Sequence, residues 1–498
     1  MGLNRAIFCL SEVLMNVLNC TKLGALVNQK SPFTFSVNIL FMDKNNLNFL
    51  EELNEAQRKA VEQTEGPLLV LAGAGAGKTK TVTYRILNLI YKGVAPENIL
   101  AVTFTNKAAK EMRERVDALL EKSSELNRPV SIVGKPFVAT FHSLGVHIIK
   151  ENAKEVGLTR NFAIYDRSDS KKAIKDSLEK AGYNPKEFEP NKILGIISRE
   201  KGNFVTAENY EANSSGEYFE KVISSVWKNY DQILKKENAL DFDDLLLVAA
   251  KLLEREDIRE KYSERFKYIH IDEYQDTNKV QYKIAESIAQ KYKNICVVGD
   301  IDQNIYSWRG ANIRNILGFE KDYQNAKLVV LEENYRSTQT ILAIANRAIE
   351  KNKLRREKKL VTRNAVGEKV TLFEALDENH EAEFVALKIK KLVESGARLS
   401  DIAVLYRANF QSRALEEACI KMNINYQVLG TKFFERKEVK DIISFLRYSF
   451  NPESITDLKR VINTPPRGIG KTTLLKIVEG KENDLPSPMK AKLESFRK

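Results

Sequence analysis

From about residue 50 the chain repeats one pattern: a short apolar run, a polar or glycine-rich cluster, then a helical spacing of apolar positions. Leu68 to Leu71 precedes Ala72 to Thr79, Ile99 to Phe104 precedes Thr105 to Lys107, and Phe137 to Thr140 precedes Phe141 to Ser143. Tyr268 to Ile271 then precedes Asp272 to Asp276, Ile295 to Val298 precedes Gly299 to Gln303, and Leu328 to Leu331 precedes Glu332 to Ser337. Short runs rich in Val, Ile and Leu predict strands of a parallel sheet covered on both faces, an α/β architecture. Ligands of such sheets bind beyond the carboxyl ends of the strands, where all six polar clusters fall.

The stretch between the third and fourth of these strands is helical in pattern, with Ser168 to Ala181 and Tyr218 to Lys235 and turns at Asn184-Pro185 and Asn213 to Gly216. It is too long for one crossover and reads as an inserted helical subdomain. A second α/β pattern follows Arg336: strands at Lys369 to Phe373, Ile402 to Tyr406 and Tyr426 to Leu429, helices around Glu381 to Glu394 and Ala414 to Met422. Between the two lies a basic run in which Lys351, Lys353, Arg355, Arg356, Lys358, Lys359 and Arg363 face one acid, Glu357. Such a run is ordinarily a solvated face, with phosphate binding the sharper alternative.

Charge narrows the partner. With 79 basic and 67 acidic residues the 498-residue chain carries a formal +12, which favours a polyanion. Hydrophobic residues at 43% and charged ones at 29% exclude wholesale disorder, and no apolar run is long enough for a membrane span. Cys9, Cys20, Cys296 and Cys419 form neither a disulfide framework nor a CxxC metal site, so a reducing cytoplasm is expected. Residues 1–41, with Glu12 as their one acid, read as an upstream extension before Met42, or as a basic leader of the transit-peptide kind.

The chemistry concentrates at the strand ends. Ala72-Gly73-Ala74-Gly75-Ala76-Gly77-Lys78-Thr79 lies between a strand and a helix, so its backbone amides can wrap a phosphate chain. Lys78 supplies charge to the β- and γ-phosphates and Thr79 a ligand for Mg²⁺, while Ala72 stands where the usual motif has its first glycine. Asp272 and Glu273 follow a buried-type strand, the first as Mg²⁺ partner and the second as base for in-line attack on the γ-phosphate of ATP. Gln303 and Arg336 follow two further strands and are placed to reach the γ-phosphate. Tyr306, Trp308 and Arg309 sit in a polar loop where no core periodicity requires them, a stacking platform for nucleic-acid bases. Phe104, Thr105, Asn106 and His142 end neighbouring strands and could line the same groove; a lone histidine is more commonly a satisfied hydrogen-bonding residue.

Taken in order, these residues resemble the UvrD/Rep/PcrA class of superfamily 1 DNA helicases. The resemblance extends from Leu53-Asn54-Glu55-Ala56-Gln57, similar to the family's Q motif, through Ala72 to Thr79, Thr103 to Ala109, Ala139 to Ser143, Ile271 to Thr277 (with Tyr274 where Phe is common), Val298 to Ala311 and Leu331 to Ser337. It implies that Gln57 reads adenine, that Tyr335 stacks on it and that Arg336 contacts the γ-phosphate. It further implies that Phe104, Tyr306, Trp308 and Arg309, with Arg407 and Asn409 in the second motor domain, contact single-stranded DNA.

The implied fold is a RecA-like P-loop domain over 42–160 and 240–338, with a helical insertion over 161–239. Over 339–465 it implies the first part of a second RecA-like domain, and over 466–498 the start of a helical accessory subdomain. The implied activity is ATP- and Mg²⁺-dependent 3′→5′ translocation on single-stranded DNA with unwinding at single/double-strand junctions. The family's later motifs V and VI have no counterpart in these residues, which leaves an ATP- and DNA-binding chain without motor activity as the alternative. Gly470-Lys471-Thr472 imitates a P-loop but follows Pro465-Pro466 instead of a strand, and reads as a phosphate-contacting turn or a plain helix cap.

Overall fold

The computed structural model describes residues 48–125, 134–352, 354, 356, 358–429 and 437–497. The N-terminal residues 1–41, read above as an extension, lie outside them. Six strands make one parallel sheet: β1 (Leu68–Ala72), β2 (Ile99–Thr103), β3 (Phe137–Thr140), β6 (Tyr268–Ile271), β7 (Ile295–Gly299) and β8 (Lys327–Leu331), in the spatial order β3-β2-β6-β7-β1-β8. The sequence pattern predicted each of these to within a residue at either end. They are legible because most are buried on both faces, as in β1, β2 and β7, where every residue is buried.

Alternate side chains feed two cores. Leu69, Leu71, Leu100, Val102, Ile269 and Ile271 face one side, against helices Phe141–Glu151 and Asp244–Leu252. Leu68, Val70, Ile99, Ala101, Cys296 and Val298 face the other, against helix Lys78–Tyr91. Since all six strands are parallel, their carboxyl ends share one edge, and the register of β1 on β7 and β8 brings Leu71 beside Gly299 and Val330 there.

The helices of the insertion close on their own core, centred on Trp227, Tyr230, Ile174 and Ile197. Its base is a second parallel pair that the sequence pattern missed, β4 (Ala163–Tyr165) on β5 (Ala239–Asp241). Three residues per strand are too few to show a period.

The second half departs from expectation. Helices form at Glu378–Glu394 and Ser412–Lys421 and pack on one another, but Lys369 to Phe373, Ile402 to Tyr406 and Tyr426 to Leu429 form no strands. Among the described residues no neighbouring strand pairs with them, and some of their apolar side chains are left in solvent, Leu372 96% exposed and Leu405 93%, while Phe373 stacks on Phe384 of the following helix. Further on, Leu458, Ile462, Ile469, Ile477 and Leu485 build a small helical core of their own. Lys471 begins helix Lys471–Val478 there, with Gly470 at its cap position.

Candidate nucleotide and nucleic-acid site

The glycine-rich turn after β1 is held from three directions. Asn54 caps helix Glu55–Glu62 in a capping box with Gln57, and the Gln57 amide, 2% exposed, donates to the Ala76 carbonyl at 3.1 Å. Asn334 donates to the Ala74 carbonyl at 2.6 Å, and the Tyr335 amide donates to the Gly75 carbonyl at 3.0 Å. Gly75 has φ +68°, and a Cβ there would lie 2.6 Å from the Asn334 side chain, so both its conformation and its neighbour require glycine. The turn is thus preset in shape, with Lys78 and Thr79 opening the next helix.

Lys78 meets the end of β6: its ammonium is 2.9 Å from Glu273 Oε2, and the Thr79 hydroxyl is 3.4 Å from Asp272 Oδ2. Glu273 sits in the left-handed region at φ +53°, a conformation that costs a non-glycine residue about 1 kcal/mol or more and is tolerated where the surroundings fix it. Burial, with the Glu273 charge second, pushes the Asp272 carboxyl up to about 6. A buried carboxylate and a hydroxyl side by side, with a second acid next to them, are a hard-oxygen donor set that suits Mg²⁺, and a divalent cation would relieve that crowding of negative charge.

Gln303 lies in the turn Ile301–Gln303 after β7, its amide donating to Asp300 Oδ2 at 2.5 Å. Arg336 is exposed beside the glycine-rich turn, and among the described residues its guanidinium has no ion pair. Tyr335 is half-exposed; its hydroxyl accepts from Asn54 at 2.7 Å and donates to Glu333 at 2.9 Å. It lines an open cleft of about 450 Å³ together with Asn54, Glu55, Glu333, Asn334 and Arg363. The cleft is large enough for a purine base.

On the same sheet edge, three aromatics join. Phe104, just after β2, stacks on Tyr306 with ring centroids 4.9 Å apart, and Tyr306 leans on Trp308 at 6.4 Å. Trp308 keeps 69% of its surface exposed. Thr105 accepts from the Ala108 amide, capping helix Asn106–Glu125, whose first residue is the exposed Asn106. His142 packs on Phe242 at 5.2 Å, and burial pushes its imidazole down to about 4, so it is neutral near pH 7 and offers ring and hydrogen bonds, not charge. The Arg309 and Asn409 side chains lie outside the described residues; their backbones are in the turns Ser307–Arg309 and Asn409–Gln411. Arg407 is exposed, and among the described residues no hydrogen bond or ion pair ties it to the first-half site.

Some residues that shape the site were not singled out from the sequence. Asn334 and Asn54 tie the glycine-rich turn and Tyr335 together, and capping chemistry was a signal for Asn54 alone. Lys358 corrects the solvated-face reading of its basic run: it is 7% exposed and pairs with Asp300 and with Asp302, the latter at 3.1 Å. Arg356 pairs with Glu320, and Arg363 with Glu333 at 3.1 Å.

Residues 53–324 match the family model of the UvrD/REP helicase N-terminal domain, more than half of the chain. The chain belongs to the UvrD/REP helicase family. Residues 329–486 of this UvrD/REP family chain match the UvrD-like helicase C-terminal domain. The chain is 46% identical to the ATP-dependent DNA helicase PcrA of Bacillus subtilis (strain 168) over 432 residues, 86% of this chain and 57% of that protein. It is likewise 46% identical to ATP-dependent DNA helicase PcrA of Staphylococcus aureus (strain Mu50 / ATCC 700699), over 86% of this chain and 58% of that protein. The UvrD/REP chain therefore spans somewhat less than three fifths of the curated relatives it matches. Among the described residues no helix is long and apolar enough to cross a membrane.

Proposed function

We propose that this chain hydrolyses ATP and couples hydrolysis to 3′→5′ movement on single-stranded DNA, unwinding duplex at single/double-strand junctions in cytoplasmic DNA repair or replication. The observation that carries the reading is the shared edge, where Lys78 meets Glu273 and Thr79 meets Asp272 beside the Phe104, Tyr306 and Trp308 cluster. Gln57 and Tyr335 would hold adenine in the cleft, and the backbone of Ala72 to Gly77 with Lys78 would hold the phosphates. Thr79 and Asp272 would hold Mg²⁺, which supplies charge neutralisation on the phosphates.

Glu273 takes a proton from the attacking water, and Lys78 releases Glu273 to the task when it turns to the phosphates. Gln303 and Arg336 then act on the γ-phosphate, Arg336 as the cation for charge developing in the transition state. Bases of a single strand stack on Trp308 and its neighbours without sequence preference, with Asn106, His142, Arg309, Arg407 and Asn409 along the strand. Domain limits at 160/161, 239/240, 338/339 and 465/466 belong to the same reading.

DNA-stimulated ATP hydrolysis by the 498-residue chain, abolished by Lys78→Ala, is the deciding assay. Trp308→Ala should weaken single-strand binding by ~1–3 kcal/mol, with affinity that falls steeply as salt rises. Unchanged single-strand affinity in Trp308→Ala would return the chain to a P-loop enzyme acting on protein partners. A second reading, nucleotide and DNA binding without turnover, is favoured by the second-half segments that no strand pairs with among the described residues. ATP binding with no DNA-stimulated hydrolysis would establish it.

A further inference from the structure

Gln275 is 1% exposed, and both ends of its amide are engaged across the site. Its nitrogen donates to Glu273 Oε2 at 2.9 Å, the same oxygen that receives Lys78. Its oxygen accepts the backbone amide of Asp300 at 3.0 Å. Its own carbonyl receives the Asn304 side chain at 2.5 Å. The approach is close: a Cβ on Gly299 would lie 2.6 Å from the Gln275 oxygen, so the strand end must be glycine for the amide to reach Asp300. Asp300 in turn holds the Gln303 amide on one carboxylate oxygen and Lys358 on the other.

We propose that Gln275 is a positioning residue that fixes the Glu273 carboxylate relative to the turn carrying Gln303, so that base and γ-phosphate contact move as one unit. This rests on the reading of Glu273 as the base. When Lys78 leaves Glu273 for the phosphates, the Gln275 amide is the remaining described side chain bonded to that carboxylate, and its other end is anchored on the turn that meets the γ-phosphate. A neutral amide suits this role because it orients the carboxylate without the charge that would remove its basicity. The backbone of Glu273, held in the left-handed region, leaves the side chain to set its aim.

The test uses the full chain with Gln275→Leu, and with Gln275→Met, whose flexible side chain refills the same space should the leucine variant fail to fold. With thermal unfolding monitored, kcat of DNA-stimulated hydrolysis should fall about ten- to a hundred-fold while KM for ATP stays within about two-fold. Combined with Glu273→Gln, the Gln275 change should cost nothing more, because its effect runs through that carboxylate. An unchanged kcat in a folded variant, or losses that multiply in the double variant, overturns the inference. A readout independent of turnover is the preference for ADP–aluminium fluoride over ADP, which Gln275→Met should reduce about ten-fold or more. Wild-type chain without any such preference overturns the reading of the site; wild-type preference retained in full by the variant overturns the role of Gln275 alone.

Discussion

Strand β6 and the segment Ile402 to Tyr406 carry similar side chains in opposite circumstances. Tyr268–Ile271 is paired on both sides, with β2 and β7, and Ile269 and Ile271 are buried. In Ile402 to Tyr406, Val404 is 40% exposed and Leu405 93%, and among the described residues no strand lies alongside. Apolar, β-branched residues make a segment able to be a strand; a neighbour that takes up its backbone groups makes it one. The consequence is chemical. Asp272 and Glu273 are aimed because β6 is fixed, whereas among the described residues Arg407, after Tyr406, has no hydrogen bond or ion pair to the first half.

Hydrogen exchange would show the largest contrast. Amides of β1, β6 and β7 should exchange only through opening close to global unfolding, about 10⁴-fold or more slower than those of residues 369–373 and 402–406. Equal protection in both would mean that the second half is paired in solution, and the comparison would break. Next comes Arg336, exposed beside the glycine-rich turn. Arg336→Ala should lower kcat of ATP hydrolysis by about 10³-fold or more with ATP binding largely kept. A loss confined to KM would make Arg336 a binding residue only.

The same contrast explains what the sequence could and could not disclose. The six strands and the glycine-rich turn were legible because each belongs to a local pattern: a short apolar run, then a polar or glycine-rich cluster, then a helix. The strand-like runs at 369–373, 402–406 and 426–429 were read by the same rule and failed, since pairing is not local. Candidate residues next to a strand end, such as Lys78, Thr79, Asp272 and Glu273, come together because the parallel sheet gathers its ends. Gln275, Asn334 and Lys358 were given no role of their own for another reason: Asp300, Ala74 and again Asp300, the partners that tie them across the site, lie 25, 260 and 58 positions away. Lys358 in particular could not be told from the other cations of its run.

Lys358 is also the sharpest probe of how the halves are joined, because it enters the first half from the segment that follows helix Gln339–Ile349. Lys358→Met leaves the buried Asp300 and the largely covered side chain of Asp302 without this cation, and should destabilise the first half by about 3–5 kcal/mol. Urea unfolding would measure it. A loss under about 1 kcal/mol, the value of an exposed pair, would show the contact to be peripheral.

The smallest effect asks whether β6 is as sealed as its burial indicates. His270 lies within that strand, its Nδ1 3.4 Å from the Leu100 carbonyl and its Nε2 without a partner among the described residues. Burial, with the Arg85 charge second, pushes its imidazole from 6.5 down to about 3. Between those limits the unfolded chain binds a proton that the folded chain refuses, so stability must fall as pH drops through 6.5 toward 3 and be unaffected above 6.5. At pH 5 this one histidine accounts for about 2 kcal/mol, 1.36 kcal/mol per unit over one and a half units. His270→Leu removes the titration, so the difference in urea-unfolding free energy between pH 7 and pH 5 should shrink by about that amount relative to wild type. If the two chains lose stability in parallel, the imidazole is reached by water in solution, and the strand that aims Asp272 and Glu273 is looser than its pairing implies.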